Sequence, residues 1–382
     1  MDRIWIVLVA AVIWGGLWLL LGSRPQPGEP PLLALVDYTS DNPQGADGVA
    51  IIDLNPHSKR FGVIMQKYPI GPGVSPHHLY YNHDGSKLYT TALGGARLYR
   101  VDLEGTRIRA ISPVDTGPCQ VGEDLYFTED GTKFYLTCLG SHMVAVFDAA
   151  TEQMIGRIEA PAPDEPFIKH PHGISVNEEI DRMLITETIA PDLTDPGASV
   201  TVIQPSTGQV LKTFPIGPSG SAPVEVFFLP GEPIAYITAM FGDSLWMVGG
   251  WDESTQEFSM VHLVDDLMAR CQGVPLEMYV GPDGNFYLSV ARPGVVNVYD
   301  ISDPMLPQFL KTLPADAGAH HIAFTEKYMF VQNNLLNLEK LNAGTISVVD
   351  LRSGKRVANL ASFVQQGLKP ASLVLLGQPG HH

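Results

Sequence analysis

The sequence predicts an all-β chain folded as a single β-propeller, and three observations carry that reading. A short pattern recurs six times at intervals of about 44–53 residues. Each copy is an apolar run, a turn and a second apolar run, and each is followed by an alternating outer strand that ends in a turn rich in Asp, Gly or Ser. The 37 glycines and 31 prolines suit many short strands joined by turns.

The copies read SPHHLYYNHDGSKLYTTAL, GEDLYFTEDGTKFYLTCL, HPHGISVNEEIDRMLITET, PVEVFFLPGEPIAYITAM, PLEMYVGPDGNFYLSVA and AHHIAFTEKYMFVQNN. Aligned on one position, they place His78, Asp124, His172, Glu225, Glu277 and His321 in register. The outer strands follow in segments such as HMVAVFDAATEQ and GTISVVDLRSGK. The last stretch, LKPASLVLLGQPGHH, starts like another inner strand but has no partners after it. Strands within residues 32–54 can supply them, so both ends of the chain would share one blade and leave no free sheet edge. Six repeats plus the shared blade make seven, with six or eight as the alternatives. One short surface helix is expected over ANLASFVQQG.

The domain organisation is read as three parts. Residues 1–23 contain Ile4–Gly22, nineteen uncharged and nearly all apolar residues flanked by Arg3 and Arg24, with Trp5 and Trp18 near the ends. That length can span a hydrocarbon core of about 30 Å. An N-terminal transmembrane helix is expected there, with a cleaved signal segment as the alternative. Residues 24–31 form a Pro-rich linker, and residues 32–382 the propeller. This arrangement predicts a membrane-anchored domain facing the periplasm or cell exterior, with an envelope protein complex as a partner.

Composition excludes some classes. A net charge of −17 without a Lys/Arg run argues against nucleic acid. Three cysteines, Cys119, Cys138 and Cys271, form neither a disulfide scaffold nor a CxxC zinc motif. Cys119–Cys138 could pair in an oxidising compartment. Alternatively, Cys119 is a thiolate near the ring or a small buried residue, and Cys138 belongs to the core. There is no GxSxG elbow, Walker loop or GxGxxG, and no catalytic residue can be named.

Inner strands line a propeller's central channel, so the aligned residues should converge. Three imidazoles (His78, His172, His321) and three carboxylates (Asp124, Glu225, Glu277) suit a transition metal, copper ahead of iron. His77, His170 and His320 double each histidine, and spacing leaves open which member of each pair faces the channel. Carboxylates could ligate directly or orient imidazoles by accepting their second N–H. The competing reading is a wet polar channel that binds nothing.

The chain resembles the selenium-binding protein family, whose bacterial members include methanethiol oxidases. The likeness runs from about residue 35 to the C-terminus. It is carried by GVAIIDLNPHSKRFGVIMQKYPI before His77-His78, SAPVEVFFLPG around Glu225, VYDISDPMLPQFLKTL, and AHHIAFTEKYMFVQNNLL followed by GTISVVDL. The resemblance implies a YVTN-like propeller and copper-dependent oxidation of a small thiol, with His78, Glu225 and His321 at matching motif positions. The family's cysteine-rich segment after its HH motif is replaced here by LYYNHDGSKLY, so selenium binding is not implied. A non-catalytic propeller serving docking, assembly or metal delivery is the alternative function.

Overall fold

A computed structural model describes residues 31–378, except residues 219 and 268–272. Seven four-stranded antiparallel sheets form seven blades. The inner strands are β4 (Pro76–Tyr81), β8 (Gly122–Phe127), β12 (Pro171–Asn177), β16 (Pro223–Phe228), β20 (Pro275–Val280), β24 (Ala319–Phe324) and β28 (Leu368–Leu375). The blade that closes the ring runs β28-β1-β2-β3, with β1 spanning Leu33–Ser40, β2 Asp47–Asp53 and β3 Ile64–Gly71. The C-terminal strand therefore pairs with the N-terminal one, Ala34 opposite Leu375 and Val36 opposite Leu373. The expected shared blade is present, and the count is seven.

Sequence pattern explains each strand's place. Inner strands are buried along almost their whole length, as in PHHLYY and PVEVFF, because neighbouring blades cover both faces. Outer strands alternate, as IMQKYPIG does in β3, because one face meets water. The inner hairpins turn at Asp-Gly in several blades. Gly85 and Gly131 take φ of 70° and 66°, which a Cβ would resist. The core lies between blades. Leu35 and Ile51 of the closing blade pack with Leu79, Leu88 and Val101 of the next. Phe134 stacks on Phe147 at 4.6 Å within another.

Two expectations are corrected. The N-terminal transmembrane helix forms no part of the described architecture, because no helix among the described residues is long and apolar enough to cross a membrane. Residues 1–23, where it was expected, lie outside the described residues. The surface helix expected over ANLASFVQQG is reduced to a single 3-10 turn at its C-terminal end. Ala358–Leu360 end a strand that pairs with the inner part of its blade, and the 3-10 turn Val364–Gln366 follows, closed by Gly367 at φ 68°. Edge pairing, absent from any local propensity, decided that segment.

Cys119 and Cys138 form a disulfide 19 residues apart in sequence. It ties the loop entering β8 to β9 (Lys133–Cys138), and it removes Cys119 as a thiolate ligand. Closing a loop of that size stabilises by roughly 3 kcal/mol. Replacing both cysteines with Ser should lower the unfolding midpoint accordingly. Thiol titration of the unfolded wild-type chain should find one reactive thiol before reduction and three after.

Closure also carries a buried charge. Asp37 on β1 is fully buried, and its Oδ2 accepts hydrogen bonds from Thr90 and from Ser372 of β28, each at 2.9 Å. Oδ1 has no hydrogen-bond partner among the described residues. Burial pushes the carboxyl up from 3.8 to about 7. The folded state thus holds this proton more tightly than the unfolded chain. Its contribution to stability is complete below about pH 4 and is lost as pH rises to about 7. Asp37→Asn should therefore match wild type near pH 4 and exceed it by at most ~4 kcal/mol above pH 7. Denaturant midpoints measured across that range test it, and parallel curves would contradict it.

Candidate metal centre

The site is built by one irregularity repeated around the ring. In β4, Pro76 pairs with Ala92 and Leu79 with Thr90, so β4 holds one extra residue, a β-bulge. The same bulge recurs at the same place in β8, β12, β16, β20 and β24, and β28 is bulged too. At a bulge two consecutive residues oppose one, so both can be presented to the channel.

A side chain on the second strand locks six of these bulges. The amide of His78 donates to Thr91 Oγ1 (3.2 Å), Asp124 to Thr137 (2.9 Å) and Gly173 to Thr186 (2.9 Å). Glu225 donates to Thr238 (3.1 Å), Glu277 to Ser289 (3.0 Å) and His321 to Gln332 Oε1 (3.3 Å). Thr137, Thr186 and Thr238 donate onward to the carbonyls of His172, Val224 and Leu276 in the next blade, at 2.6, 2.6 and 2.8 Å. These three locks thus join neighbouring blades as well.

Two rings result. The first bulge positions are His77, Glu123, His172, Val224, Leu276 and His320, and all six line a cavity of about 310 Å³. The second positions are His78, Asp124, Gly173, Glu225, Glu277 and His321. All but Gly173 line a narrow pocket of about 30 Å³ that opens the other way. The single ring expected from the alignment is therefore two rings, and His172 belongs to the first. Gly173 holds the equivalent of His78, because a Cβ there would stand 2.6 Å from Val224 O and 2.9 Å from Glu225 Cα.

The rings bring two groups together. The ligand atoms of His77, His78, Glu123 and His172 lie within 4.8 Å of one another, as do those of His78, Glu277, His320 and His321, and all are buried. His78 belongs to both. His77 Nε2 and His172 Nε2 stand 3.5 and 3.6 Å from Glu123 Oε2, and His320 Nε2 stands 3.2 Å from Glu277 Oε1. Yet Glu123 Oε2, Glu277 Oε1 and His78 Nε2 make no hydrogen bond among the described residues. Leaving a buried polar atom unsatisfied costs about 1–3 kcal/mol. Atoms that converge without aligning for hydrogen bonds are disposed as ligands to a shared cation would be, and these groups could bind a metal.

The remaining candidates sit elsewhere. Glu225 is behind His172, its Oε1 3.2 Å from His172 Nδ1, and in neither group. Asp124 Oδ1 accepts from the Tyr80 hydroxyl and from Leu125 N (2.9 Å), and Oδ2 accepts from Ile174 N (2.9 Å). His170 is not brought to the centre. It occupies the turn before β12 at φ 43°, its ring is 4.6 Å from His142, and its amide donates to His142 Nδ1.

Burial sets the charges. It lowers His77 and His78 well below the usual imidazole range, with neighbouring imidazoles adding to the effect. Both rings are neutral at neutral pH. Burial raises Glu123 to about 7 and Asp124 to about 6. It raises Glu225 well above the carboxylate range, helped by Glu277, Asp124 and Glu123. Tyr80 spends its one proton on Asp124, so at the 2.7 Å contact with His78 Nδ1 it accepts. That bond fixes the His78 tautomer and leaves the Nε2 lone pair for a ligand. Tyr279 OH lies within hydrogen-bond distance of His321 Nδ1, at 3.3 Å.

Sequence reasoning missed Glu123, Tyr80 and Tyr279. The doublets His77-His78 and His320-His321 held the clue to Glu123, since they imply that both residues of each copy matter, and Glu123-Asp124 is the corresponding doublet. Tyr80 and Tyr279 each lie two residues beyond a second-ring residue, a spacing that also fits ordinary core tyrosines.

No family model matches the chain, and no curated protein matches it in sequence. Solved structures match it in fold. A hypothetical selenium-binding protein from Sulfolobus tokodaii superposes with a TM-score of 0.72 at 14% identity, covering 94% of this chain and 97% of that one. The periplasmic gluconolactonase PpgL of Pseudomonas aeruginosa gives 0.64 at 14% identity, covering 92% and 100%. Hydrazine synthase of Kuenenia stuttgartiensis gives 0.58 at 13% identity, covering 86% and 99%. At these identities the likeness establishes the seven-bladed propeller fold that the chain shares with them.

Proposed function

We propose that the protein is an extracytoplasmic metalloenzyme whose channel binds a transition metal, copper ahead of iron, and oxidises a small sulfur compound. The observation that carries the metal reading is the buried convergence around His78 of imidazoles and of carboxylate oxygens that make no hydrogen bond among the described residues. Nitrogen-rich ligation favours copper, and the mixed carboxylates keep iron as the second choice. The sulfur substrate rests on the resemblance to methanethiol oxidases. The Cys119–Cys138 disulfide supports an oxidising compartment.

His78 would hold the ion, with His77, Glu123 and His172 or with His320, His321 and Glu277 completing the set. A copper ion there would supply one-electron redox chemistry. Tyr80 and Tyr279 orient His78 and His321 from behind, and Glu225 stands behind His172. The first ring faces the larger cavity, where a substrate can approach the imidazoles away from bulk water.

Metal analysis of the purified protein should find a stoichiometric transition metal, and a His78→Ala, His321→Ala variant should lose it. Retention of the metal in that variant overturns the reading. A wild-type protein that takes up neither copper nor iron would leave a non-catalytic docking or assembly role in an envelope complex.

Glu225→Gln should keep the metal but bind it about 10–100-fold more weakly, since a group that orients a ligand tunes affinity without supplying a bond. Metal titration with a spectroscopic probe of coordination measures this. A changed ligand set would instead make Glu225 a ligand, and unchanged affinity would make it a lining residue.

A further inference from the structure

We propose that the cavity above the first ring is a binding site for a small, uncharged, largely apolar molecule, seated with one end against His77, Glu123, His172 and His320. The cavity of about 310 Å³ lies at the lower end of the range for small-molecule pockets. Its wall comes from one repeated position. Leu93, Leu139, Ile189, Met240 and Leu335 lie at or just beyond the ends of the second strands of five blades: β5 (Leu88–Ala92), β9, β13 (Arg182–Ile189), β17 (Ala235–Ala239) and β25 (Tyr328–Asn334). Five loops thus present aliphatic groups to one space, a pattern that the channel's own closure does not require.

The lining also says what is refused. No Lys or Arg contributes to it, and the polar residues are the four floor residues and Thr188. An anion would lose its hydration with no cation to replace it, at a cost of several kcal/mol. At the mouth, Leu193, Phe241 and Leu336 are 48%, 53% and 38% exposed, although they are large and apolar. Leu193 and Leu336 are held at φ of 61° and 49°, which L residues seldom adopt. An apolar rim around an apolar chamber gives such a molecule a continuous path from solvent to the imidazole floor. On the opposite face of the rings, Asp124, Glu225 and Glu277 surround a pocket of only about 30 Å³.

What happens to a bound molecule rests on the proposed metal chemistry, but binding itself does not. The test uses 1-hexanol and hexanoate as probes, titrated calorimetrically into full-length protein that has been stripped of metal with a chelator. Hexanol should bind, and hexanoate at least tenfold more weakly. Leu338→Asp, at a half-buried wall position, should weaken hexanol at least tenfold while leaving the unfolding midpoint and metal content unchanged. Met240→Gln serves the same purpose should that variant fail to fold. Leu310→Asp, exposed on an outer strand, is the control and should change nothing. Equal affinity for the two probes, no hexanol binding, or undiminished binding in the wall variants overturns the proposal. Hexanol binding by a protein that never takes up metal would sink the metalloenzyme reading and leave this site standing.

Discussion

The bulge of the inner strands, held in six blades by a hydroxyl or amide side chain of the second strand, is the interaction on which the site depends. A regular strand alternates its side chains, so only one residue of each adjacent pair could reach the channel. The extra residue breaks that alternation and delivers two. Its cost is an amide left out of the ladder, and Thr91, Thr137, Thr186, Thr238, Ser289 and Gln332 accept those amides. Where the same hydroxyl also donates to the next blade, the device that shapes the site also sets the spacing between blades.

Two stacked rings make the channel two-faced. The first ring is the floor of an apolar chamber. The second is backed by Tyr80, Tyr279 and a narrow polar space. Crowding imidazoles and carboxylates into a buried channel is unfavourable without a compensating charge, and the shifts of Glu123, Asp124 and Glu225 express it: burial drives each toward its neutral form. The fold can sustain that cost because the sheets around it are held by extensive apolar packing between blades and by a closing blade that leaves the ring no free end.

Reading the site from the chain succeeded where a residue type recurred at the repeat spacing and failed where backbone geometry set the register. The doublets at His77-His78 and His320-His321 pointed to the centre, and Glu225 and Glu277 came with the alignment. His172 was placed one residue out of register, because a bulge is invisible to a period-two pattern. Only the proximity of the next blade's backbone shows why glycine stands there. His170, equally suggestive as half of an HxH pair, is drawn off to His142 by the left-handed turn before β12.

The chain's own periodicity was enough for the all-β class, the blade repeat, the shared closing blade and the convergence of His and carboxylate residues on a channel. These follow from alternation, turn chemistry and equal spacing, which are local properties. Other features arise from contacts between segments far apart in the chain. They include the approach of Glu123 to His77 and His172, the tautomer of His78, the crowding that holds Gly173 and the apolar chamber walled by five loops. Each depends on distances across blades, and a linear pattern carries no information about those until the ring has closed.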